Sequence, residues 1–376
     1  MQLLSLFRRS IVANLDPRLA PQFYNAFETN PVTIYDVGAA GSLFTPYAAE
    51  PTAWAPVFGF EPHDESFRRL TRGKQPEHTV VYQIALCSQD GDVSFHSGVG
   101  KARTLSSILS IDELGVDNSV IKIPGLMVDS VPNRLNIASA NFIKLDPEGS
   151  EKIILENGAQ MLRDHVLGIQ CEVAFWRDTE GCVFSDVDKL LTQHGFVLFD
   201  LQMNRSDIRS IGGRKDKVRS GDALYLRNFD TLPKASNDKG LRRTQLLKLM
   251  SLATTLRYLN YALELADHGF RLGLLNRHEF AATVKPIIAT VDLSDRIPSF
   301  PGRVALARLF DVLSYALQPN MKKGVPHAFN GLGNHWVVKR AGQAPTHVEL
   351  YCPILSDGTQ HRRKLINVNP NLTPNS

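Results

Sequence analysis

The sequence predicts an α/β fold in which a mostly parallel, seven-stranded sheet carries helices on both faces. Between residues 33 and 227, short apolar segments rich in β-branched residues alternate with amphipathic helical segments. Alternation of this kind is typical of doubly wound sheets. After residue 230 the strand pattern gives way to helices with leucines at helical spacing, which predicts a helical C-terminal unit.

Seven strands are predicted from apolar runs that end in turn residues. They are Thr33–Val37, Val57–Phe60, Thr79–Leu86, Phe142–Leu145, Leu167–Val173, Phe196–Leu201 and Ala223–Arg227. The helices predicted between them cover residues 43–55, 64–70, 151–162 and 184–194. The helix over 64–70 has acidic residues in its first turn and basic ones in its last, as the helix dipole favours.

Changes of pattern along the chain predict four parts. An N-terminal helical segment covers residues 1–30, and the α/β domain covers 31–230. A helical C-terminal domain follows over 231–366, with helices over 241–273, 277–290 and 302–317, and a disordered tail rich in Asn and Pro covers 367–376. A chain of 376 residues is about the length of two domains.

Composition excludes several classes of protein. Hydrophobic residues make up 43% and charged residues 21%, which is ordinary for a folded domain. No run of 18 apolar residues occurs, so we expect no transmembrane segment. The arginines near the N-terminus follow a short apolar stretch, the reverse of a secretory signal, and we expect a cytoplasmic protein. A net charge of +4 does not indicate nucleic acid as a partner.

The first predicted strand ends in a turn of small residues, Asp36-Val37-Gly38-Ala39-Ala40-Gly41. Such a turn brings main-chain amides close to a ligand at the carboxyl edge of the sheet. Glu61 ends the next strand, where a carboxylate accepts both hydrogen bonds of a ribose diol. The G-x-G-x-x-G pattern of dinucleotide sites and the lysine of a P-loop are both absent. The turn therefore predicts a nucleotide-type ligand.

A second polar cluster, Lys144 to Glu151, follows the fourth strand. Strand ends on this edge of a doubly wound sheet face the ligand crevice, so Asp146 and Glu148 are candidate site residues. A helix N-terminus is the alternative, since carboxylates there complement the helix dipole. That alternative suits Glu151 best.

In order along the chain, five segments resemble the FkbM family of methyltransferases: Asp36–Gly41, Phe58–Pro62, Ala85–Ser88, Phe142–Glu151 and Gly168–Glu172. The Lys-x-Asp-x-Glu-Gly-x-Glu motif at residues 144–151 is the most specific of them. The resemblance covers roughly residues 30–228. It implies a Rossmann-like class I fold, S-adenosylmethionine as methyl donor, and a hydroxyl of a sugar, glycan or natural product as acceptor.

The resemblance also implies positions for the site residues. The cofactor-binding residues would be Asp36, Gly38, Ala39, Gly41, Glu61, Pro62 and Ala85. Asp146 is the candidate base that accepts the hydroxyl proton, with Glu148 or Glu172 as its orienting partner. Oxygen ligands of this kind also suit Mg²⁺, but nothing in the sequence separates metal-assisted from metal-free transfer, and no metal ligand is assigned.

A basic stretch after the sixth strand contains Arg205, Arg209 and Arg214. If that strand is parallel to the others, we expect these arginines to lie beside the site. Their bidentate contacts would then hold an acidic or phosphorylated acceptor. A solvated or partner-binding loop is the alternative. The helical C-terminal unit offers a surface for a second copy of the chain or for another protein.

Three alternatives to methyl transfer differ in the sequence features that they require. A non-catalytic binding or scaffold protein on a methyltransferase fold is the main alternative, because Ala40 and Ser42 stand where family members often have Asn and Gly. A nicotinamide-dependent oxidoreductase would require the absent glycine pattern. A nucleic-acid methyltransferase would carry an aromatic-flanked Asn/Asp-Pro-Pro motif, of which Asp146-Pro147 is only part.

Overall fold

The structure is a computed structural model of the chain. It describes residues 21–39, 43, 54–72, 77–98, 106–109, 118–176, 181–204, 218, 220–232, 239–288, 300–317, 347–351 and 363–367. Most of the helix predicted over 43–55 and most of the predicted N-terminal segment lie outside the described residues.

The strands are β1 (Ile34–Val37), β2 (Val57–Phe60), β3 (Thr79–Tyr82), β4 (Ala85–Leu86), β5 (Gly91–Gly98), β6 (Asn118–Leu126), β7 (Phe142–Leu145), β8 (Gly168–Ala174), β9 (Phe196–Asn204), β10 (Ser220–Arg227), β11 (His347–Tyr351) and β12 (Arg363–Asn367). The α-helices are α1 (Pro21–Thr29), α2 (Asp64–Thr71), α3 (Val131–Leu135), α4 (Glu151–Glu156), α5 (Ala159–Asp164), α6 (Phe184–Gln193), α7 (Lys239–Thr255), α8 (Leu259–Arg271), α9 (Arg277–Ile288) and α10 (Arg303–Leu317).

Within the described part of the chain, seven strands form one sheet in the order β3-β2-β1-β7-β8-β10-β9. Strand β10 is antiparallel to both of its neighbours, and the other pairs are parallel. The predicted mostly parallel sheet is therefore confirmed. Central strand β1 is buried along its whole length, as expected where helices cover both faces.

Each face of the sheet packs on its own apolar core. One core joins α1, α7 and α8 to the sheet through side chains such as Phe27, Leu249 and Leu265. The other core joins α3 to α6 to the opposite face, with Ile154 and Leu191 among its members. The two layers of helices thus hold the central strands in register, and the carboxyl ends of these strands remain available for a site.

The predicted strand over 79–86 is divided between two sheets. Residues 79–82 form β3 at the edge of the large sheet, whereas Ala85 and Leu86 form β4 in a smaller sheet with the order β4-β6-β5 among the described residues. Strand β6 was not predicted, because half-exposed residues dilute its apolar pattern. The small sheet has its own core, which includes Val93, Phe95 and Ile123.

Two predicted helices are also divided. The helix predicted over 151–162 breaks at residues 157–158, where a side chain at Gly158 would meet Val128 at 2.9 Å. The helix predicted over 241–273 breaks between α7 and α8, where Arg257 adopts a φ of +70°. Both breaks are local, and the helices on either side still pack on the same core.

The chain divides into two compact units, residues 1–300 and residues 301–376. Helices α7 to α9 share the first unit with the sheet; this is a different division from the sequence-based domain bounds, which stay a prediction. The described residues of the second unit form α10 and the antiparallel pair β11–β12, and these two strands were not predicted. No helix among the described residues is long and apolar enough to cross a membrane.

Lys248 of α7 is buried at the amino-terminal edge of the sheet. Its ammonium group donates to the side-chain oxygens of Asn30, at 2.5 Å, and Asn141, at 2.9 Å. Both partners are uncharged amides, and burial lowers the pKa of Lys248 to about 7. The folded protein therefore binds this proton much more weakly than the unfolded chain does.

We expect replacement of Lys248 by Met to reduce the pH dependence of stability. Between about pH 7 and the ordinary lysine pKa of 10.5, the unfolded chain holds the proton and the folded one does not. The free energy of unfolding then rises with pH, by up to about 1.4 kcal/mol per pH unit. Urea denaturation at several pH values measures this slope. Lys239→Met, at an exposed position of the same helix, is the control. An unchanged slope in Lys248→Met would contradict the assignment.

Candidate functional site

The strand order creates a crevice where β1 and β7 lie side by side. From β1 the chain builds outward through β2 and β3, then crosses to β7 on the other side of β1. Ligands of doubly wound sheets bind outside the carboxyl ends of the strands at such a switch point. The segments that follow β1, β2 and β7 meet at this edge, and they contain most of the predicted site residues.

Lys144 of β7 connects the ends of the two central strands. Its ammonium nitrogen lies 3.0 Å from Oδ2 of Asp146, 3.5 Å from Oδ1 of Asp36 and 3.3 Å from the carbonyl oxygen of Gly38. Burial lowers the pKa of Lys144, but the two carboxylates outweigh burial and the net pKa is raised. A charged Lys144 thus compensates the fully buried Asp36.

Lys144 was part of the predicted motif, yet no role was assigned to it. Residues 144 and 146 alternate with 145 along the strand, so their side chains share one face. The pairing of Asp36 with Lys144 across β1 and β7 brings the third member of the cluster together. That pairing cannot be read from a single sequence.

Gly38 allows the backbone of β1 to approach that of β7. Its φ is +77°, and a Cβ atom there would lie 2.1 Å from the carbonyl oxygen of Asp146. The amide of Gly38 donates to Phe60 in β2 at 3.0 Å, and the amide of Asp146 donates to Val37 at the same distance. Only glycine fits this position without a shift of the backbone.

A cavity of about 170 Å³ opens next to this contact. Among the predicted residues that line it are Gly38, Glu61, Pro62, Ala85, Asp146 and Glu148. Asp36 lies behind the wall in contact with Lys144, and Ala39 is buried beside the turn. Ligand pockets usually measure roughly 300–1,000 Å³, so this cavity is large enough for part of a cofactor and too small for a whole one.

Four predicted residues lie outside the described part of the chain: Gly41, Arg205, Arg209 and Arg214. The direction of β9 bears on the three arginines. Strands β8 and β9 are both antiparallel to β10, so β9 runs parallel to β8 and ends at the crevice edge. The parallel direction of β9, on which that prediction depends, is thus present, and the placement of the three arginines stays a prediction.

Sequence reasoning missed one wall of the cavity. Phe95 of β5 lines it together with Ser106 and Ile108, which flank the bridge between Ser107 and β5. The Ser107 hydroxyl donates to the carbonyl of Pro147 at 3.3 Å. His63, which was not among the predicted site residues, also lines the cavity. It caps α2, because its Nδ1 accepts a hydrogen bond from the amide of Ser66 at 3.3 Å. A hairpin insertion shows no motif in the sequence, so this wall had no recognisable pattern.

Glu61 is almost completely buried, with 3% of its surface exposed, and it lines the cavity. Its Oε1 accepts the amide proton of His63 at 2.8 Å. Burial raises the pKa of Glu61 to about 7; the His63 amide opposes this rise and Asp36 adds to it. An ionised carboxylate has further lone pairs for donors of a ligand.

Asp146, Glu148 and Glu172 form a cluster whose carboxylate oxygens lie within 4.8 Å of one another. Burial raises the pKa of Glu148 to about 8, with Asp146 and Glu151 contributing. Burial, Asp146 and Glu148 raise the pKa of Glu172, which also shares a hydrogen bond with Asp146. Near neutral pH the two glutamates therefore hold protons, and Asp146 is the member paired with a cation.

The backbone at this cluster is in an unusual conformation. Glu148 has a φ of +56° and Gly149 a φ of +101°, both in the left-handed region. A non-glycine residue there costs about 1–2 kcal/mol, and such strain is concentrated at functional sites. Glu151 follows at the start of α4, where its buried carboxylate accepts the amide of Gly149 at 3.0 Å, in agreement with the helix-terminus interpretation.

The family described as "Methyltransferase FkbM domain" matches residues 36–198, somewhat less than half of the chain. The match includes every predicted catalytic and cofactor-binding residue and excludes the three arginines. No curated protein matches the sequence.

Solved structures give distant likenesses. A methyltransferase FkbM from Methylobacillus flagellatus is 15% identical, with 57% of this chain and 52% of that chain covered and a TM-score of 0.32. The chain thus spans about half of that relative's length. Magnesium protoporphyrin IX methyltransferase from Synechocystis PCC 6803 with bound SAM is 13% identical, with 58% and 77% covered and a TM-score of 0.28. TM-scores this low carry no argument about the fold, which is assigned from the strand order of the sheet.

We expect Gly38→Ala to destabilise the protein more than Gly91→Ala. Both glycines have positive φ values, but a Cβ at Gly91 meets nothing within 4 Å, whereas one at Gly38 overlaps the backbone of Asp146. The difference in the free energy of unfolding should be about 1–3 kcal/mol, the usual range for overpacking. Urea denaturation measures it. Equal losses in the two variants would mean that the close approach of the strands is not required.

Proposed function

We propose that this chain, whose residues 36–198 match the family of methyltransferase FkbM domains, transfers a methyl group from S-adenosylmethionine to a hydroxyl of a sugar, glycan or related natural product. One observation supports the proposal most strongly. A single cavity joins Glu61, suited to a ribose diol, to Asp146, suited to a hydroxyl proton. The Rossmann-like class I methyltransferase fold, with its strand order, positions both residues at the same edge.

The residues that line the cavity fit part of the cofactor in size, and they fit its positive charge. Gly38 and Ala85 leave room beside Glu61, as a nucleoside requires. Asp146 lines the same cavity, and its carboxylate would attract a positively charged sulfur. When bound, S-adenosylmethionine supplies an activated methyl group at that sulfur. The cofactor assignment rests on this fit and on the family.

In the proposed reaction, a bond forms between the acceptor oxygen and the methyl carbon while the bond from that carbon to sulfur breaks. The hydroxyl proton passes to Asp146, whose side chain is 40% exposed and therefore accessible. Lys144 and Glu172 fix the orientation of Asp146 by an ion pair and a hydrogen bond. Alignment of this kind supplies most of the catalysis in a displacement at carbon.

The acceptor side is supported by the direction of β9. Strand β9 ends at the crevice edge, and Arg205, Arg209 and Arg214 follow it in the sequence. Guanidinium groups there would hold an acidic or phosphorylated acceptor. We therefore infer that the acceptor is negatively charged.

We expect Glu61→Gln to weaken cofactor binding at least tenfold, because a neutral amide accepts the diol protons less well than a carboxylate. Wild-type affinity should itself fall as the pH drops below about 7, when Glu61 takes up a proton. Calorimetric titration with S-adenosylmethionine at pH 6, 7 and 8 measures both effects. Glu65→Gln, at an exposed position of α2, is the matched control. Absence of binding to the wild-type protein would favour a scaffold function.

We expect Asp146→Asn to keep cofactor binding but to lose roughly 10²–10⁴-fold in transfer rate, the usual contribution of a general base. The assay follows labelled methyl groups from the cofactor into cell extracts separated into glycans, lipids, proteins and small molecules. Asp92→Asn, at an exposed position of β5, should transfer at the wild-type rate. Full activity in Asp146→Asn would remove this residue from the base role.

A further inference from the structure

A second cavity, of about 440 Å³, lies between β9 and the start of α8. It shares no lining residue with the first cavity. We call it the β9–α8 groove, and it is lined by Phe199, Arg257, Tyr258, Leu259, Asn260, Tyr261 and Glu264. Nothing in the proposed methyl transfer uses these residues.

A β-bulge directs Phe199 into the groove. Leu198 pairs with Tyr225 and Asp200 pairs with Leu224, so Phe199 is the extra residue between them. Its ring centroid lies 5.1 Å from that of Tyr258 and 4.8 Å from that of Tyr261. Bulges often redirect a side chain next to a binding site.

The hydroxyl groups of both tyrosines are held from outside the groove. Tyr258 forms a hydrogen bond with the carboxylate of Asp200, and burial together with that contact raises its pKa to about 12. The Tyr261 hydroxyl donates to the carbonyl oxygen of Arg227. The rings are thereby fixed in orientation. The plane of Phe199 makes an angle of 83° with that of Tyr258 and 55° with that of Tyr261, so the three rings form an ordered but angled aromatic floor.

A second backbone irregularity positions an arginine at the rim. Helix α7 ends with the amide of Tyr258 donating to Ala253 and that of Arg257 donating to Thr254, which puts Arg257 in the left-handed region. Glycine usually occupies this position because it adopts the conformation without strain. An arginine here suggests that the side chain itself is required.

The rim combines charges of both signs. Arg257, Asn260 and Glu264 are exposed and offer hydrogen-bond donors and acceptors. An organic cation would be attracted by the aromatic floor but repelled by the arginine. A phosphate-rich ligand would be repelled by Glu264 and by Asp200 nearby. A neutral ligand with an apolar face and many hydroxyls avoids both penalties, and a sugar ring has these properties.

We propose that the β9–α8 groove is a saccharide-binding site, separate from the cavity assigned to methyl transfer. One sugar ring lies on the floor formed by Phe199, Tyr258 and Tyr261, and its hydroxyls bond to the rim. The inference does not depend on the proposed function, because binding in the groove requires neither cofactor nor reaction. It adds an anchoring site to the chain.

The test is calorimetric titration of the full chain, without cofactor, against neutral tri- to hexasaccharides of glucose, galactose, mannose, N-acetylglucosamine and rhamnose. We expect at least one of them to bind. Arg257→Gly should weaken that binding at least tenfold although it relieves backbone strain and leaves the fold at least as stable. Asn260→Ala combined with Glu264→Ala should also weaken it at least tenfold. Arg271→Ala, an exposed arginine of the same helix outside the groove, should bind like the wild type.

Three results would overturn the proposal. The first is that no saccharide of the panel binds to the full chain. The second is wild-type affinity in Arg257→Gly and in the Asn260/Glu264 double variant, which would remove the groove from recognition. The third is a loss of saccharide binding in Asp146→Asn, which would locate the sugar in the catalytic cavity. A failure of methyl transfer leaves each of these readouts unchanged.

Discussion

The site depends on one buried cation, the ammonium group of Lys144. Asp36 has no exposed surface, and a buried carboxylate without a compensating charge would cost several kcal/mol. Lys144 compensates it and at the same time contacts Asp146 and the carbonyl of Gly38. The same nitrogen thus holds the end of β1, the end of β7 and the candidate base in one arrangement.

The balance of charge follows from that arrangement. Lys144 lowers the pKa of Glu148, but burial and the neighbouring carboxylates raise it more. Burial then keeps these two side chains protonated near neutral pH, with Asp146 adding to the effect. A neutral glutamic acid can donate a hydrogen bond, which a carboxylate cannot do. The cluster can therefore orient Asp146 from one side while Lys144 holds it from the other.

The sequence predicted those parts of the fold that depend on short, continuous segments of the chain. The central strands are apolar on both faces and end in motifs, so Asp36, Glu61 and Asp146 were found at strand ends. The contacts of Lys144 require the register of β1 against β7, and the groove combines Phe199 with Tyr258, two residues far apart in the chain. Strand β6 was missed because exposed Val120 and Ile121 obscure its alternation. Pairings between distant segments are decided by packing, which one sequence does not display.

The small sheet β4-β6-β5 packs around an apolar core of its own and contributes Phe95 to the cavity wall, to which the adjoining segment 106–109 adds Ser106 and Ile108. It is also joined to the large sheet, because Leu86 of β4 and Leu126 of β6 pack in the core that contains Ile143 of β7. Substitutions on its inner face can alter the shape of the cavity without disturbing the main core. The cavity is thus enclosed by side chains from two sheets, so one wall can change its shape while Glu61 and Asp146 keep their positions.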